Sequence, residues 1–352
     1  MHRWLIIAAL AAGTPLASCG DDDDDQDVPT DTGADADADV PAEADAEAGA
    51  DADTEPDAAD VTDVPPDGPG ACPSLGYVLH EGDNTGFLVD EYDRAFTLRL
   101  PDAVESAPGP WPVVFLYHGT NNEPSQVLEL VESLVDDAEF PFIAVAPDSI
   151  PLSLTGSPLG FEYDLLIWNA EQNLDLDLFD DLLACLDEAY GIDRERIYVM
   201  GFSAGGIMTS FLTMARPELF AAAAAYSGTV FADPVQEMCF GSLCTVWPPY
   251  SAVNKTPMLV VWGGPTDTYV TLSGLVTVDF NMHALASIDW WTGHGHNVVG
   301  CDHGLGHELP PDLSGPEFIR FFRDHPKGVT PEPYASALPA GFPAYCTFHP
   351  AE

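Results

Sequence analysis

Ile197-Tyr198-Val199-Met200-Gly201-Phe202-Ser203-Ala204-Gly205-Gly206 is the stretch on which the reading of this chain turns. A short apolar run leads into Gly-x-Ser-x-Gly, and Ile207 to Met214 follows with apolar residues at helical spacing. Strand, sharp turn and helix in that order would hold Ser203 at the tip of the turn. Gly201 and Gly205 stand where strand and helix come too close for a Cβ. The helix would aim its N-terminus, with its positive partial charge, at whatever the serine attacks. A bare Gly-x-Ser-x-Gly carries little weight in a chain with 30 Gly. The β-branched and aromatic run before it and the helical run after it give it weight. The plain alternative is a glycine turn with an idle serine.

Working outward, the flanks alternate strand and helix. Leu174 to Tyr190 has Leu and Ala at helical spacing, and Gly191-Ile192-Asp193 stops it. Val113 to Tyr117 is a continuous apolar run, as expected of a strand buried on both faces, and it ends in His118-Gly119-Thr120-Asn121-Asn122. Pro141 to Ala146 is a second such strand, and Glu123 to Asp137 reads as an amphipathic helix. Tyr77 to His80, Thr85 to Val89 and Ala95 to Leu100 read as short antiparallel strands, with turns at Gly82-Asp83-Asn84 and Asp90 to Asp93. Residues 149–172 are irregular and Leu-rich; Phe161, Tyr163 and Trp168 there either line an acyl or aryl pocket or pack a loop. Beyond the serine, Ala221 to Tyr226, Met258 to Trp262 and Asn297 to Gly300 read as strands. Residues 229–256 form an insertion, Ser314 to Phe322 a closing helix with Phe321 and Phe322 in the core, and 326–352 a Pro-rich tail held by Cys346. The pattern predicts an α/β architecture, the α/β-hydrolase fold, with a mostly parallel central sheet and helices on both faces.

That fold places an acid after a late strand and a histidine after the last one, in the chain order Ser…Asp…His. Asp267, in Gly263-Gly264-Pro265-Thr266-Asp267, is the expected acid, against the alternative of an Asx turn. Asp279 is the reserve, but it suits a helix N-cap. His307, in Gly304-Leu305-Gly306-His307, is preferred to His303 as the base because its glycine-rich loop can bring the ring over Ser203. The N–H groups of Thr120 and Ala204 are the expected oxyanion donors. His118 reads as a packing residue that shapes the loop, with a catalytic role as the lesser reading. A rival reading is a metal-dependent hydrolase, since His294, His296, Cys301, His303 and His307 fall within fourteen residues. The spacing fits no zinc pattern, so no metal is expected. A second rival is a non-catalytic surface binding protein on the same scaffold.

The chain has 352 residues and a formal charge of −48. Residues 20–70 hold 20 acids, no Lys or Arg and no aromatic residue. Such a segment buries too little apolar surface to fold, so 19–70 reads as an acidic disordered linker rather than a calcium site. The rest, 71–352, suffices for one large catalytic domain and is itself acidic, which argues against nucleic acid as a partner. Met1-His2-Arg3 followed by the apolar run Trp4 to Ala12 has the length of a signal peptide, and 1–18 is read as one. Leu16-Ala17-Ser18-Cys19 resembles the lipobox of bacterial lipoproteins. That resemblance implies lipidation of Cys19, export, and a membrane tether at the cell surface or in the periplasm.

Seven Cys are present. With Cys19 lipidated, the others suggest disulfides. Cys239 and Cys244 are close enough for a local bridge. Among the fifteen pairings of six Cys, one arrangement joins Cys72 to Cys346 across the ends of the domain and leaves Cys185 with Cys301.

Gly201-Phe202-Ser203-Ala204-Gly205-Gly206, preceded by Asp193-x-x-Arg196-Ile197-Tyr198, resembles the polyhydroxybutyrate depolymerase and feruloyl esterase-like group of α/β-hydrolases. So do Gly306-His307 shortly before Pro310, and Phe321-Phe322-x-x-His325-Pro326. The resemblance spans roughly 75–327 and implies a Ser-His-Asp triad, secreted esterase activity and no cofactor. The loop reads Leu309-Pro310 where that family usually has an aromatic before the proline, and no separate polymer-binding domain is expected. A soluble or cell-proximal ester is therefore the expected substrate, ahead of solid polyester.

Overall fold

The computed structural model describes residues 72–73, 76–150, 163, 173–228, 238–240, 243–245, 248–271 and 276–352. The expectations for 1–70, Cys19 included, and for Phe161 and Trp168 lie outside those residues. In chain order the strands are β1 (Gly82–Val89), β2 (Tyr92–Arg99), β3 (Trp111–Tyr117), β4 (Ile143–Pro147), β5 (Ile192–Phe202) and β6 (Ala222–Tyr226). They continue with β7 (Met238–Phe240), β8 (Leu243–Thr245), β9 (Met258–Trp262), β10 (Thr268–Thr271), β11 (Val276–Asp279), β12 (Val298–Asp302) and β13 (Cys346–His349). The helices are α1 (Pro124–Leu128), α2 (Leu174–Tyr190), α3 (Ala204–Ala215), α4 (Phe280–Gly293) and α5 (Pro316–Asp324).

The central sheet has the order β1-β2-β4-β3-β5-β6-β9-β12-β13. Its six inner strands, β4 to β12 in that order, run parallel, and antiparallel strands close both edges. β3, β4, β6 and β9 are buried along their whole length, because helices cover both faces. Val113, Phe115 and Tyr117 point to one face, where they join the core of α2, α3 and α4. Val114 and Leu116 point to the other, with α1 and α5. This is the α/β-hydrolase fold, with the sheet and the two helical layers the sequence predicts.

The elbow is built on missing side chains. A Cβ on Gly205 would lie 2.1 Å from the Tyr117 carbonyl oxygen, and one on Gly201 2.1 Å from that of Gly205. Only glycine lets α3 start so close to β3 and β5.

Several local expectations are corrected. Gly82-Asp83-Asn84 lies inside β1 rather than in a turn, pairing with Leu98, Thr97 and Phe96. The buried Asn84 amide is satisfied by the carbonyls of His80 and Gly82, so a turn-type residue sits in a strand without an orphan donor. Tyr77 to His80 forms no strand; Tyr77 instead packs edge-on against Phe87 at 5.1 Å. The helix expected over Glu123 to Asp137 is regular only through Leu128. Beyond it the amide hydrogen bonds mix three- and four-residue spacing: Leu134 to Val131, Val135 to Val131.

The disulfides correct a larger expectation. Cys72 is bonded to Cys185, and Cys301 to Cys346. Cys72 and Cys185 belong to the core on one face of the sheet, Cys301 and Cys346 to the core on the other. Bridging Cys72 to Cys346 or Cys185 to Cys301 would have to cross the sheet. The missing information was β13: the tail adds a strand beside β12 and sets Cys346 directly opposite Cys301. Cys239 and Cys244 face each other in the backbone register of β7 and β8.

Candidate active site

Three chain ends of parallel strands converge. β5 delivers Ser203 to the turn with φ 57° and ψ −120°. A non-glycine residue in that region is strained, by about 1–3 kcal/mol in general. The strain is held by the Ser203 N–H bond to Tyr226 O and by Ile207 N–H bonding back to Ser203 O. β9 leads through a single 3-10 turn to Asp267, which is fully buried. The loop after β12 carries His307.

The His307 ring joins the other two. Its Nε2 lies 3.0 Å from Ser203 Oγ and its Nδ1 2.7 Å from Asp267 Oδ1. A carboxylate only accepts, so Nδ1 carries the proton and Nε2 is left to accept from the serine hydroxyl. Asp267 Oδ2 takes hydrogen bonds from the Ser227 hydroxyl at 2.7 Å and the Gly263 N–H at 2.8 Å. The two loops are locked together by glycines. Gly306 N–H donates to Gly263 O, and a Cβ on Gly263 would lie 1.8 Å from the Gly306 oxygen. Gly306 itself has φ +82°, a conformation that side chains resist. The imidazole plane is set by aromatic rings: Phe280 stacks on it at 4.8 Å, and Phe202 lies at 5.0 Å.

On the other side of Ser203 is the loop after β3. A Cβ on Gly119 would lie 3.3 Å from the Ser203 Cβ, so the backbone of this loop borders Ser203 directly. Thr120 follows in that loop, and Ala204 opens α3. His118 is buried and turned away from Ser203's partners. Its Nδ1 faces Gly119 O at 2.9 Å, and its Nε2 lies 3.6 Å from Asp148. The neighbouring His118 ring holds the Asp148 carboxyl below its usual range, against the upward push of partial burial. Tyr163 donates to the His118 carbonyl. His118 therefore shapes the loop.

The remaining candidates go elsewhere. His303 has Nδ1 accepting from Leu305 N–H, and burial lowers its pKa despite the nearby carboxylates of Asp267 and Asp302. Asp279 caps α4 through Met282 N–H. The metal reading loses its ligand set. Cys301 is in a disulfide, and His294 Nδ1 binds Trp290 O. His296, lowered to about 4 chiefly by burial, sits between Thr256 O and Tyr250 Oη. Among the described residues no group of three or more His, Cys, Asp or Glu side chains is placed to hold a metal ion.

Sequence reasoning missed Ser227, Phe280 and Phe202 as parts of the site. Ser227 is picked out only by the sheet order, because it follows β6, which lies between the strand that carries Ser203 and the one that leads to Asp267. The aromatic pair had no signal, because stacking depends on where the histidine loop lands.

A strained serine, an imidazole and a buried carboxylate at the carboxyl ends of parallel strands define an enzyme of the α/β-hydrolase fold. Its relatives are hydrolases and esterases. A family model for the prolyl oligopeptidase family matches residues 157–271, a stretch that contains Ser203 and Asp267 and stops before His307. An oxidized polyvinyl alcohol hydrolase of Sphingopyxis sp. is 26% identical over 77% of this chain and 86% of that protein. Feruloyl esterase B of Talaromyces stipitatus is 32% identical over 36% of this chain, spanning 45% of the esterase. The solved structure of native pOPH superposes with a TM-score of 0.61 at 20% identity, covering 80% of this chain and 96% of that one, a likeness of fold.

Proposed function

We propose that this chain is a serine-dependent carboxylic ester hydrolase working through an acyl-enzyme. The observation that carries the reading is the 3.0 Å contact between Ser203 Oγ and His307 Nε2, in line with the 2.7 Å contact between His307 Nδ1 and Asp267. His307 takes the Ser203 proton as Oγ attacks the ester carbonyl, then returns it to the leaving alcohol. Asp267 holds the ring in the Nδ1–H tautomer and stabilises the imidazolium. The N–H groups of Thr120 and Ala204 receive the oxyanion, aided by the positive end of α3. A water activated by the same ring then frees the acid and regenerates the serine.

The proposed substrates are acyl or feruloyl esters linked to polysaccharide, or short polyesters; the local match to feruloyl esterase B supports the first. A second reading, attack on an oxidised synthetic polymer, is favoured by the longer match to the oxidized polyvinyl alcohol hydrolase. The proposed setting is export with 1–18 removed, a lipid on Cys19, and 19–70 as a spacer whose reach is on the order of 40 Å. Among the described residues no helix is long and apolar enough to cross a membrane, so the proposed membrane contact rests on that lipid; Cys19→Ala should move the protein from membrane to soluble fractions.

The test is hydrolysis of p-nitrophenyl acetate by wild type and Ser203→Ala, followed by a panel varying the acyl and alcohol halves. Turnover should fall by about a millionfold in the variant. Near wild-type hydrolysis by the variant would refute the reading. A preference for feruloyl over short alkyl esters would favour the polysaccharide side of it.

A further inference from the structure

In the sheet, β6 lies between β5, which carries Ser203, and β9, which leads to Asp267. Ser227 is the first residue beyond β6 and is fixed from both sides. Its N–H donates to Val261 O on β9 at 2.8 Å, while the preceding carbonyl, Tyr226 O, accepts from Ser203 N–H at 2.8 Å. The next residue, Gly228, sits so close to the elbow that a Cβ there would lie 2.3 Å from Ser203 O. Ser227 has φ 45°, a conformation L-residues rarely adopt. Its side chain is buried, with Oγ 2.7 Å from Asp267 Oδ2. Since the carboxylate can only accept, the hydroxyl donates.

We infer that Ser227 is a positioning residue for the reaction, its hydroxyl fixing the Asp267 carboxylate so that Oδ1 alone faces His307. The inference rests on the reading of Ser203, His307 and Asp267 given above. With Ser227 and Gly263 N–H both on Oδ2, the carboxylate cannot rotate, and its negative charge is drawn away from Oδ1. Removing the hydroxyl makes the carboxylate more basic and leaves more charge facing the ring. Both changes favour the proton-bearing, inactive form of the pair. The acid limb of the rate profile therefore moves to higher pH. Among the described residues, the titratable groups beside the pair include His303, which sits among Asp267, Asp302, Asp312 and Glu308, and Tyr269, whose ring is 6.0 Å from His307. Neither is altered by a change at 227, so a shift of the limb reports the lost hydroxyl.

The experiment measures kcat and kcat/KM for p-nitrophenyl acetate from about pH 5 to 9 in the full chain, as wild type, Ser227→Ala and Ser227→Gly. Glycine suits the positive φ, so it removes the hydroxyl without straining the turn. Both variants should move the acid limb up by roughly half to one pH unit and lower kcat about tenfold, with KM little changed. An unmoved limb in either variant that keeps the wild-type thermal midpoint would overturn the inference. Failure of both variants to fold would overturn it too, because the hydroxyl would then serve the fold. A parallel control labels wild type with a fluorophosphonate and locates the adduct. Absence of label on Ser203 in the wild type would mark failure of the underlying reading and not of the role given to Ser227.

Discussion

Among the described residues, two histidine–carboxylate pairs meet within hydrogen-bond distance, and they are built differently. His307 meets Asp267 at 2.7 Å, and His325 meets Glu332 at 2.9 Å. The difference lies in the second ring nitrogen. In His307 it faces the Ser203 hydroxyl, and the side chain keeps 19% of its surface open. In His325 it faces the Phe321 carbonyl at 2.7 Å, and only 1% of the side chain is open. A carbonyl can only accept, so His325 has no nitrogen left to take a proton from a substrate. Glu332 also bonds Asn297 and Tyr334 N–H, which ties α5, the tail and the start of β12 together. One pair is open for proton transfer, and the other is a clamp. A carboxylate beside an imidazole does not make a catalytic site; the free face of the ring does.

The sharpest way to break this contrast is to remove each ring. His307→Ala should cut ester turnover by about a millionfold with little change in the unfolding midpoint. His325→Ala should leave the rate within a few fold and cost stability instead, about 3 kcal/mol, for a buried pair left half-made. Steady-state rates and urea titrations of both variants check this, and an inactive, fully stable His325→Ala protein would erase the distinction. Asp267→Asn comes next. It keeps the shape but lets the ring adopt the wrong tautomer, and turnover should drop about ten-thousandfold.

Gly263→Ala tests the lock between the two loops. The added methyl has no room beside the Gly306 carbonyl, so the His307 loop must move away from Ser203. A displacement near an ångström should lower kcat about a hundredfold; an alanine variant with wild-type kcat would show that the loops are not coupled in this way.

The pH dependence of stability sharpens the clamp. Burial pushes Glu332 up, but hydrogen bonds and charge from His325, with Tyr334 N–H and Asn297, outweigh it and hold the group below its usual range. A depressed acid stabilises the fold above its unfolded value, and that contribution is lost as pH falls through the folded value. The Glu332 contribution to the urea midpoint should therefore be lost on acidification through the carboxylate range, and the difference between wild type and Glu332→Gln should shrink over that range. The smallest change in stability belongs to the backbone of Ser203. Ser203→Gly relieves the positive φ and should raise stability by about 1 kcal/mol while abolishing turnover.

The parallel core was legible because strands buried on both faces must be continuous apolar runs, as Val113 to Tyr117 and Met258 to Trp262 are. The elbow was legible because its glycines are demanded by backbone contact. Ser203, Asp267 and His307 were named from chain order and loop type, and they lie within hydrogen-bond reach of one another. What stayed hidden depends on partners far away in sequence. The tail strand β13 has no alternating pattern strong enough to announce it, and with it went the pairing of Cys301 with Cys346. Asn84, a turn-former by type, fits a strand only because two nearby carbonyls satisfy its amide. Ser227 looked like any residue at a strand end until β6 was placed between its neighbours.

The central claim is that the Ser203 oxygen, activated by His307, carries the acyl group. Acid-quenching the protein during p-nitrophenyl acetate turnover and mapping the adduct by tandem mass spectrometry tests it directly. A single acetyl group is expected on Ser203, absent from His307→Ala and unchanged in His325→Ala. Turnover with no adduct on Ser203, or an adduct that forms equally well without His307, would contradict it.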